Sequence, residues 1–408
     1  MRRPPTSLVR CALVLGLLLT PVACGDPGRS QVTIMVPWSG KEFEAFHAVV
    51  EAFEADHPGI EIQPEVTRAL NEQLDAAVAA DAEPDLAVLP SVGAIAKYQQ
   101  EQALRKLDVD TGDYVQPFRG LGTSGGDGGP REVYAVPVKA DVKSLVWYDA
   151  DATPDPPKSW ADLRTRHDRW CLGLESGPTS GWPGADWIAD LVLTTYGRDA
   201  YTAWASGEAT WDEGPVDAAW TAWGQLMGSA RKGAARTGFK AAVKKMPACS
   251  LAHGTLAAMD FDATRVKRRA YLYVPPPGST LQVSADFVGK FTDNDSADEF
   301  LAYLAGAEAQ RLWVKQPGFA LSADSRVTAE DYADDVQGEV AAMLHTPANT
   351  LCFSAADAMD PDVSAAFYRA VLEYADGAAQ GPLLEALDKV QGALGSARPS
   401  SAPPLCTR

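Results

Sequence analysis

Histidine is scarce in this chain, closely spaced cysteine pairs are missing, and these gaps remove several chemistries. The 408 residues hold five histidines, His47, His57, His167, His253 and His345. No two of them form a His-x-x-x-His pair, so a helix-borne zinc hydrolase site is not indicated. No two cysteines form a Cys-x-x-Cys pair either, which leaves a structural zinc site without its usual spacing. No metal and no cofactor is expected. Basic residues are few: 36 lysines and arginines stand against 54 acids, a formal charge of -18. That balance argues against nucleic acid or an anionic membrane surface as partner. Internal repeats are lacking. So are long apolar runs, with one exception: Cys11–Leu19, behind Arg2, Arg3 and Arg10. It is too short to span a bilayer and the right length for a signal segment.

Small residues and a cysteine close that segment, Pro21-Val22-Ala23-Cys24-Gly25. This resembles a bacterial lipobox, with Pro21 where an aliphatic residue is usual. Residues 1–23 are expected to be removed, Cys24 to carry lipid, and 24–30 to form a tether. The product would hang from the extracellular face of the bacterial cytoplasmic membrane through that lipid alone. Losing three arginines moves the charge from -18 to -21. Cys171, Cys249, Cys352 and Cys406 then remain, an even number for an oxidising compartment. Four cysteines allow three connectivities, or four free thiols. The pairing expected is Cys171–Cys249 with Cys352–Cys406.

The length left exceeds what one core usually supports, so two lobes are expected. Gln31–Val36 reads as a buried strand. Ser39 and Glu42 fit a capping box, ahead of a helix with an apolar face of Phe43, Phe46, Val50 and Phe53. That helix stops at His57-Pro58-Gly59. A strand at Ile60–Gln63, a helix over about 69–80 and a strand at Asp85–Leu89 follow. The alternation predicts an α/β lobe with a parallel sheet. Its ligands would gather at the strand ends, Pro37-Trp38-Ser39 and Pro90-Ser91. Further strands are predicted at Ser144–Tyr148, Tyr271–Val274 and Leu281–Val288, and a helix over 297–314. Residues 159–228 are mostly helical by pattern and hold eight of the eleven tryptophans. The basic run 229–245 reads as a solvated face, and 396–408 as a Pro/Ser/Ala tail carrying Cys406. The glycine-rich run 122–129 holds the one Gly-x-Ser-x-Gly match. It leads into a strand, not a helix, and so reads as a hairpin turn, not a nucleophile elbow or phosphate loop.

Several segments together resemble the family 1 extracellular solute-binding proteins, nearest the subgroup that binds alpha-glucosides. Val32–Phe46 is similar to the family's first strand, loop and helix, and Glu83–Gly93 to its Pro-Asp strand. The most specific stretches are Lys139–Tyr148 and Trp170–Gly177 continuing to Ser180–Trp187. The resemblance runs in order from about residue 31 to 390. It implies an α/β, two-lobe periplasmic-binding-protein-like fold with a hinge and an interlobe cleft. The N-lobe would comprise 31–138 and 284–322, the C-lobe 139–283 and 323–395. A small sugar would sit in the cleft and pass to the permease subunits of an ABC importer. Two stretches depart from the subgroup: Val283–Phe287, where a Gly-rich approach to a strand-end Asp is usual, and Ala248–His253.

Sugar recognition needs flat apolar rings for the C–H faces and polar groups for the hydroxyls. Trp38 is the first candidate, at the end of the first strand, with Ser39 beside it as ligand contact or helix cap. Pro90 and Ser91 hold the matching strand end. Trp182 in a Gly-Trp-Pro-Gly loop and Asp186 form a second cluster, with N-capping the structural role open to Asp186. Glu175 and Ser176 follow a strand and would line the cleft, Lys143 reads as a hinge or cleft group or as half of a salt bridge, Asp286 matches a strand-end position, and Asp85 opens its strand and reads as structural. A secreted glycosidase is the enzyme alternative. It would need two carboxylates across the scissile bond, and Asp260 with Asp262 is a local pair. A tethered sugar sensor is the other alternative. A monomeric binding protein without catalytic residues is the expectation preferred.

Overall fold

The computed structural model describes residues 28–124, 131–163, 169–274, 276–394 and 402–407. The signal segment, Cys24 and the centre of the glycine-rich run lie outside the described residues. Eleven strands are present among the described residues: β1 Ser30–Val36, β2 Ile60–Val66, β3 Leu86–Leu89, β4 Thr123–Ser124, β5 Glu132–Val133, β6 Ala135–Val142, β7 Val146–Asp149, β8 Leu251–His253, β9 Tyr271–Val274, β10 Thr280–Lys290 and β11 Thr350–Phe353.

Two sheets organise two lobes. The larger runs β11-β10-β3-β1-β2, with β6 also paired to β10. β1 lies parallel to β2 and β3, because a helix crosses over between each successive pair: Lys41–Asp56, then Leu70–Ala79. The expected all-parallel sheet is nonetheless mixed. β10 enters from the other lobe and lies antiparallel to β3 and to β6. The smaller sheet, β8-β7-β9, is antiparallel. Trp147 on its central strand is fully buried, and its Nε1 donates to the Gly254 carbonyl at 2.9 Å. The turn expected in the glycine-rich run is flanked by paired β4 and β5.

The tryptophan-rich segment builds the core of the second lobe. Trp204, Trp211 and Trp220 are fully buried and meet Phe367 at 4.9–5.8 Å between ring centroids. Trp223 packs beside Tyr374. These rings are therefore core, as the i, i+3 spacing of Trp220 and Trp223 suggested.

Three expectations change on folding. The helix expected over 297–314 is two, Asp295–Ala305 and Ala307–Val314, parted at Gly306. Trp182 does not sit in a loop. It opens the helix Trp182–Ala205, and Gly181 before it takes φ 107°, with the Tyr368 carbonyl filling the place where a Cβ would stand. Only glycine fits that approach. The capping box of Ser39 and Glu42 is not formed. The cap is Gly40 at φ 58°, a backbone that favours glycine and leaves no side chain to cap. The described end of the tail, 402–407, is tied to the fold. Cys406 bonds to Cys352 and pairs with it as a β-bridge, Phe353 N–H donates to the Leu405 carbonyl, and Leu405 is buried. Both disulfides join the expected partners, Cys171–Cys249 and Cys352–Cys406.

Candidate functional site

A cavity of about 310 Å³ opens between the lobes at the carboxyl ends of β1 and β3. That is within the roughly 300–1,000 Å³ typical of small-molecule sites. Its floor comes from the two strands that cross between lobes. In β6, Lys139 and Asp141 project to one face because side chains alternate along a strand, and Lys143 follows just beyond the strand's end. In β10, Asp286 lies opposite Lys139 and Ser284 opposite Asp141. Cross-strand pairing therefore stacks charges in an otherwise apolar sheet.

Two buried lysines anchor this floor. Lys139 Nζ lies 3.0 Å from Glu42, 3.5 Å from Asp141 and 3.7 Å from Asp286. Lys143 Nζ donates to Asp186 Oδ1 at 2.8 Å and Asp357 Oδ2 at 2.9 Å. Burial opposes both charges, but the surrounding carboxylates hold both ammonium groups above their ordinary range. The carboxylates respond unequally. Burial pushes Asp141 up to about 6, with Lys139 opposing and Asp286 and Glu42 adding repulsion. Burial likewise pushes Asp186 up to about 6, against Lys143 and with Asp357. Asp286 is raised by burial, against Lys139 and the Trp38 hydrogen bond. Asp141 Oδ1 and Asn71 Oδ1 are buried acceptors without a protein hydrogen bond, on two residues that line the cavity.

One consequence is a pH dependence. Asp141 has a folded value near 6 against an ordinary 3.8, so the native state binds the extra proton. Its contribution is fully present below the lower value and is lost as pH rises through the upper one. The stability of the wild type minus that of Asp141→Asn should therefore fall between about pH 4 and pH 6, then level off. A difference constant across that window in chemical denaturation would remove the assignment.

The sequence-predicted residues distribute as follows. Trp38 lines the cavity but is 3% exposed. Its indole N–H donates to Asp286 Oδ2 at 2.8 Å, and its ring packs on Phe46 and Trp313. Pro90 and Ser91 line the cavity, and Ser91 also caps the helix Val92–Gln100 by accepting from Ala94 N–H. Trp182 lines it edge-on to Phe239, 5.1 Å between centroids. Lys143 and Asp286 line it too. Asp186 is not a helix cap. It sits one turn into its helix, behind the lining, as partner of Lys143. Ser39 and Glu175 are exposed and lie outside the lining. Glu175 accepts from Gly177 N–H at 3.1 Å. Ser176, also outside it, accepts from Arg68 Nη2 at 3.0 Å across the cleft. Asp85 is structural, held by Thr33 and Thr292.

Several lining residues escaped the sequence reading: Glu42, Arg68, Lys139, Asp141, Asp357 and Tyr368. The alternation of Lys139, Asp141 and Lys143 was a legible signal, polar residues at every second position of an apolar run. Asp357 and Tyr368, hydrogen-bonded to each other, come from a helical region with no such mark. The Asp260–Asp262 pair is engaged in ion pairing and helix capping. Asp260 meets Lys41 and Lys244, and Asp262 caps the helix Ala263–Lys267.

Two lobes around a polar, aromatic-edged cavity define the class of two-lobed ligand receptors. The family model for bacterial extracellular solute-binding proteins matches residues 48–340, more than half of the chain, and the chain belongs to that family. It is 27% identical over 400 residues to the alpha-glucosides-binding periplasmic protein AglE of Rhizobium meliloti, covering 88% of this chain and 86% of that one. It is 26% identical over 419 residues to the osmoprotective compounds-binding protein GgtB of Synechocystis, covering 94% and 98%. Its fold matches the GacH receptor of Streptomyces glaucescens, solved unliganded and with acarbose. The TM-score is 0.69 at 15% identity, over 90% of this chain and 98% of that one.

Proposed function

We propose that the chain is the substrate-binding lipoprotein of a carbohydrate ABC importer. It captures a small sugar, with alpha-glucosides the first class to test, in the interlobe cavity and delivers it to the membrane permease. The observation that carries this reading is the cavity itself. Trp182, Phe239 and Tyr368 offer apolar ring surface, and Asp141, Asn71, Asp286 and the lysines offer hydrogen-bond partners for hydroxyls. The relative's alpha-glucoside name supports the same substrate class. The lobes are taken as 31–138 with 284–322, and 139–283 with 323–395. Cys24 carries the lipid, the protein acts as a monomer outside the cell, and it turns over no substrate.

A thermal-shift screen tests this, since a ligand that binds only the native state raises the melting temperature. Maltose, trehalose, sucrose and their monosaccharides are the first panel. A shift with at least one sugar is expected. Shifts with peptides or polyamines and none with sugars would overturn the substrate class. Trp182→Ala should then weaken binding of the responding sugar about 10- to 100-fold by calorimetry, because the sugar ring no longer rests against an indole. Unchanged affinity would take Trp182 out of the site.

A further inference from the structure

One carboxylate at the mouth of the cleft touches both lobes. Glu42 stands in the first turn of the helix Lys41–Asp56, in the lobe of the larger sheet. Its Oε1 accepts from Lys139 Nζ at 3.0 Å, on the cavity floor. Its Oε2 accepts from Lys240 Nζ at 3.3 Å, on the helix Phe239–Val243 of the other lobe. All three residues line the cavity. Burial disfavours the Glu42 charge, yet Lys139 and Lys240 hold its pKa below the ordinary range. The carboxylate is therefore ionised and divided between one cation on the cavity floor and one on the helix Phe239–Val243.

Two other contacts bridge the same gap. Lys41 Nζ lies 3.9 Å from Asp260, and Arg68 Nη2 donates to Ser176 at 3.0 Å. Neither of these reaches the floor cation. Glu42 does, and Lys139 has two competing carboxylates in reach, Asp141 at 3.5 Å and Asp286 at 3.7 Å. A ligand that hydrogen-bonds Asp141 or Asp286 changes how much of Lys139 is left for Glu42. It thereby changes the charge Glu42 presents to Lys240.

The geometry points to Glu42 as an electrostatic clasp that holds the lobes together through Lys240 and senses the cavity through Lys139. It rests on the reading that the lobes open and close around a ligand, and it does not require that ligand to be a sugar. Lys240 is about a third exposed. The clasp should therefore favour the closed form about two- to five-fold and weaken with salt.

The test uses the full chain without added ligand. Spin labels carried on p-acetylphenylalanine replace Glu51 and Lys245, both exposed and one on each lobe. This chemistry leaves the cysteines untouched. Distance distributions are compared at about 50 mM and about 1 M salt. The wild type should show a short-distance population at low salt that falls about two- to five-fold at high salt. Glu42→Gln and Lys240→Gln should each lower it about two- to five-fold at low salt, and the double variant should go no further. Identical distributions in all four proteins would overturn the clasp. So would an effect of Glu42→Gln that Lys240→Gln does not share, which would place Glu42's role on Lys139 alone. Unchanged distances beside a sugar thermal shift would sink only the clasp. Changed distances beside no sugar response would sink only the sugar reading.

Discussion

Replacing Lys143 by methionine should lower the unfolding free energy by about 3–5 kcal/mol in urea titrations, the cost of removing one partner from a buried ion pair. The side chain of Lys143 is 8% exposed and that of Asp186 4%. Its ammonium serves Asp186 and Asp357 at once and approaches Ser354 Oγ at 3.4 Å. Methionine fills much the same volume, so the loss reports charge more than a cavity. Two carboxylates would then face each other in a buried site. The pH dependence gives a second check. Asp186 already titrates near 6 with its partner present, and without Lys143 it must rise further. Protonation relieves the buried charge, so the deficit of the variant should shrink as pH falls from 8 towards 5. A deficit below about 1 kcal/mol at pH 8 would show that the pair carries no such weight.

The double substitution Cys171→Ser with Cys249→Ser should cost about 4 kcal/mol, estimated from closure of a 78-residue loop in the unfolded chain. The bond ties two sides of one layer together. Trp170 bridges to Leu251 of β8, Cys171 N–H donates to the Leu251 carbonyl, and Trp170 packs against Trp187. The loop so closed includes Trp182 and Phe239, the aromatic edge of the cavity. Loss of the bond should therefore reduce ligand affinity as well as the denaturation midpoint. A midpoint within error of the wild type would mean that the noncovalent contacts of this layer suffice.

The sequence was most legible where local pattern and tertiary role agree. The alternation of β1, helix, β2, helix and β3 follows from hydrophobic periodicity, and strand ends then mark the cleft. This placed Trp38, Pro90 and Ser91 at the cavity. Where tertiary contact overrides local chemistry, reading failed. Ser39 and Glu42 match a capping box, but the chain turns at Gly40, and Glu42 is claimed by Lys139 and Lys240. Asp186 has the sequence context of a cap, yet it answers to Lys143, 43 residues away. Asp357 and Tyr368 reach the cavity only because a helix folds back on the crossing strands. No local spacing announces that. Trp38 shows the converse: its position was right, but its indole is mostly enclosed by Phe46 and Trp313.

The pairing of β6 with β10 sets how the molecule can move. These neighbouring antiparallel strands share seven paired positions, with an irregularity between Asp286 and Phe287. A ladder of this kind resists stretching and sliding, since either breaks several hydrogen bonds at once, but it yields to twist. Such a pair would serve as a torsion bar between the lobes. Lys139, Asp141 and Asp286 are mounted on the bar itself, whereas Trp182 and Phe239 ride away from its axis. A turn of the lobes about these strands would leave the charged groups nearly still and carry the rings along an arc. A molecule entering the cleft would be held first by polar groups that do not move, and covered afterwards by aromatic ones that do.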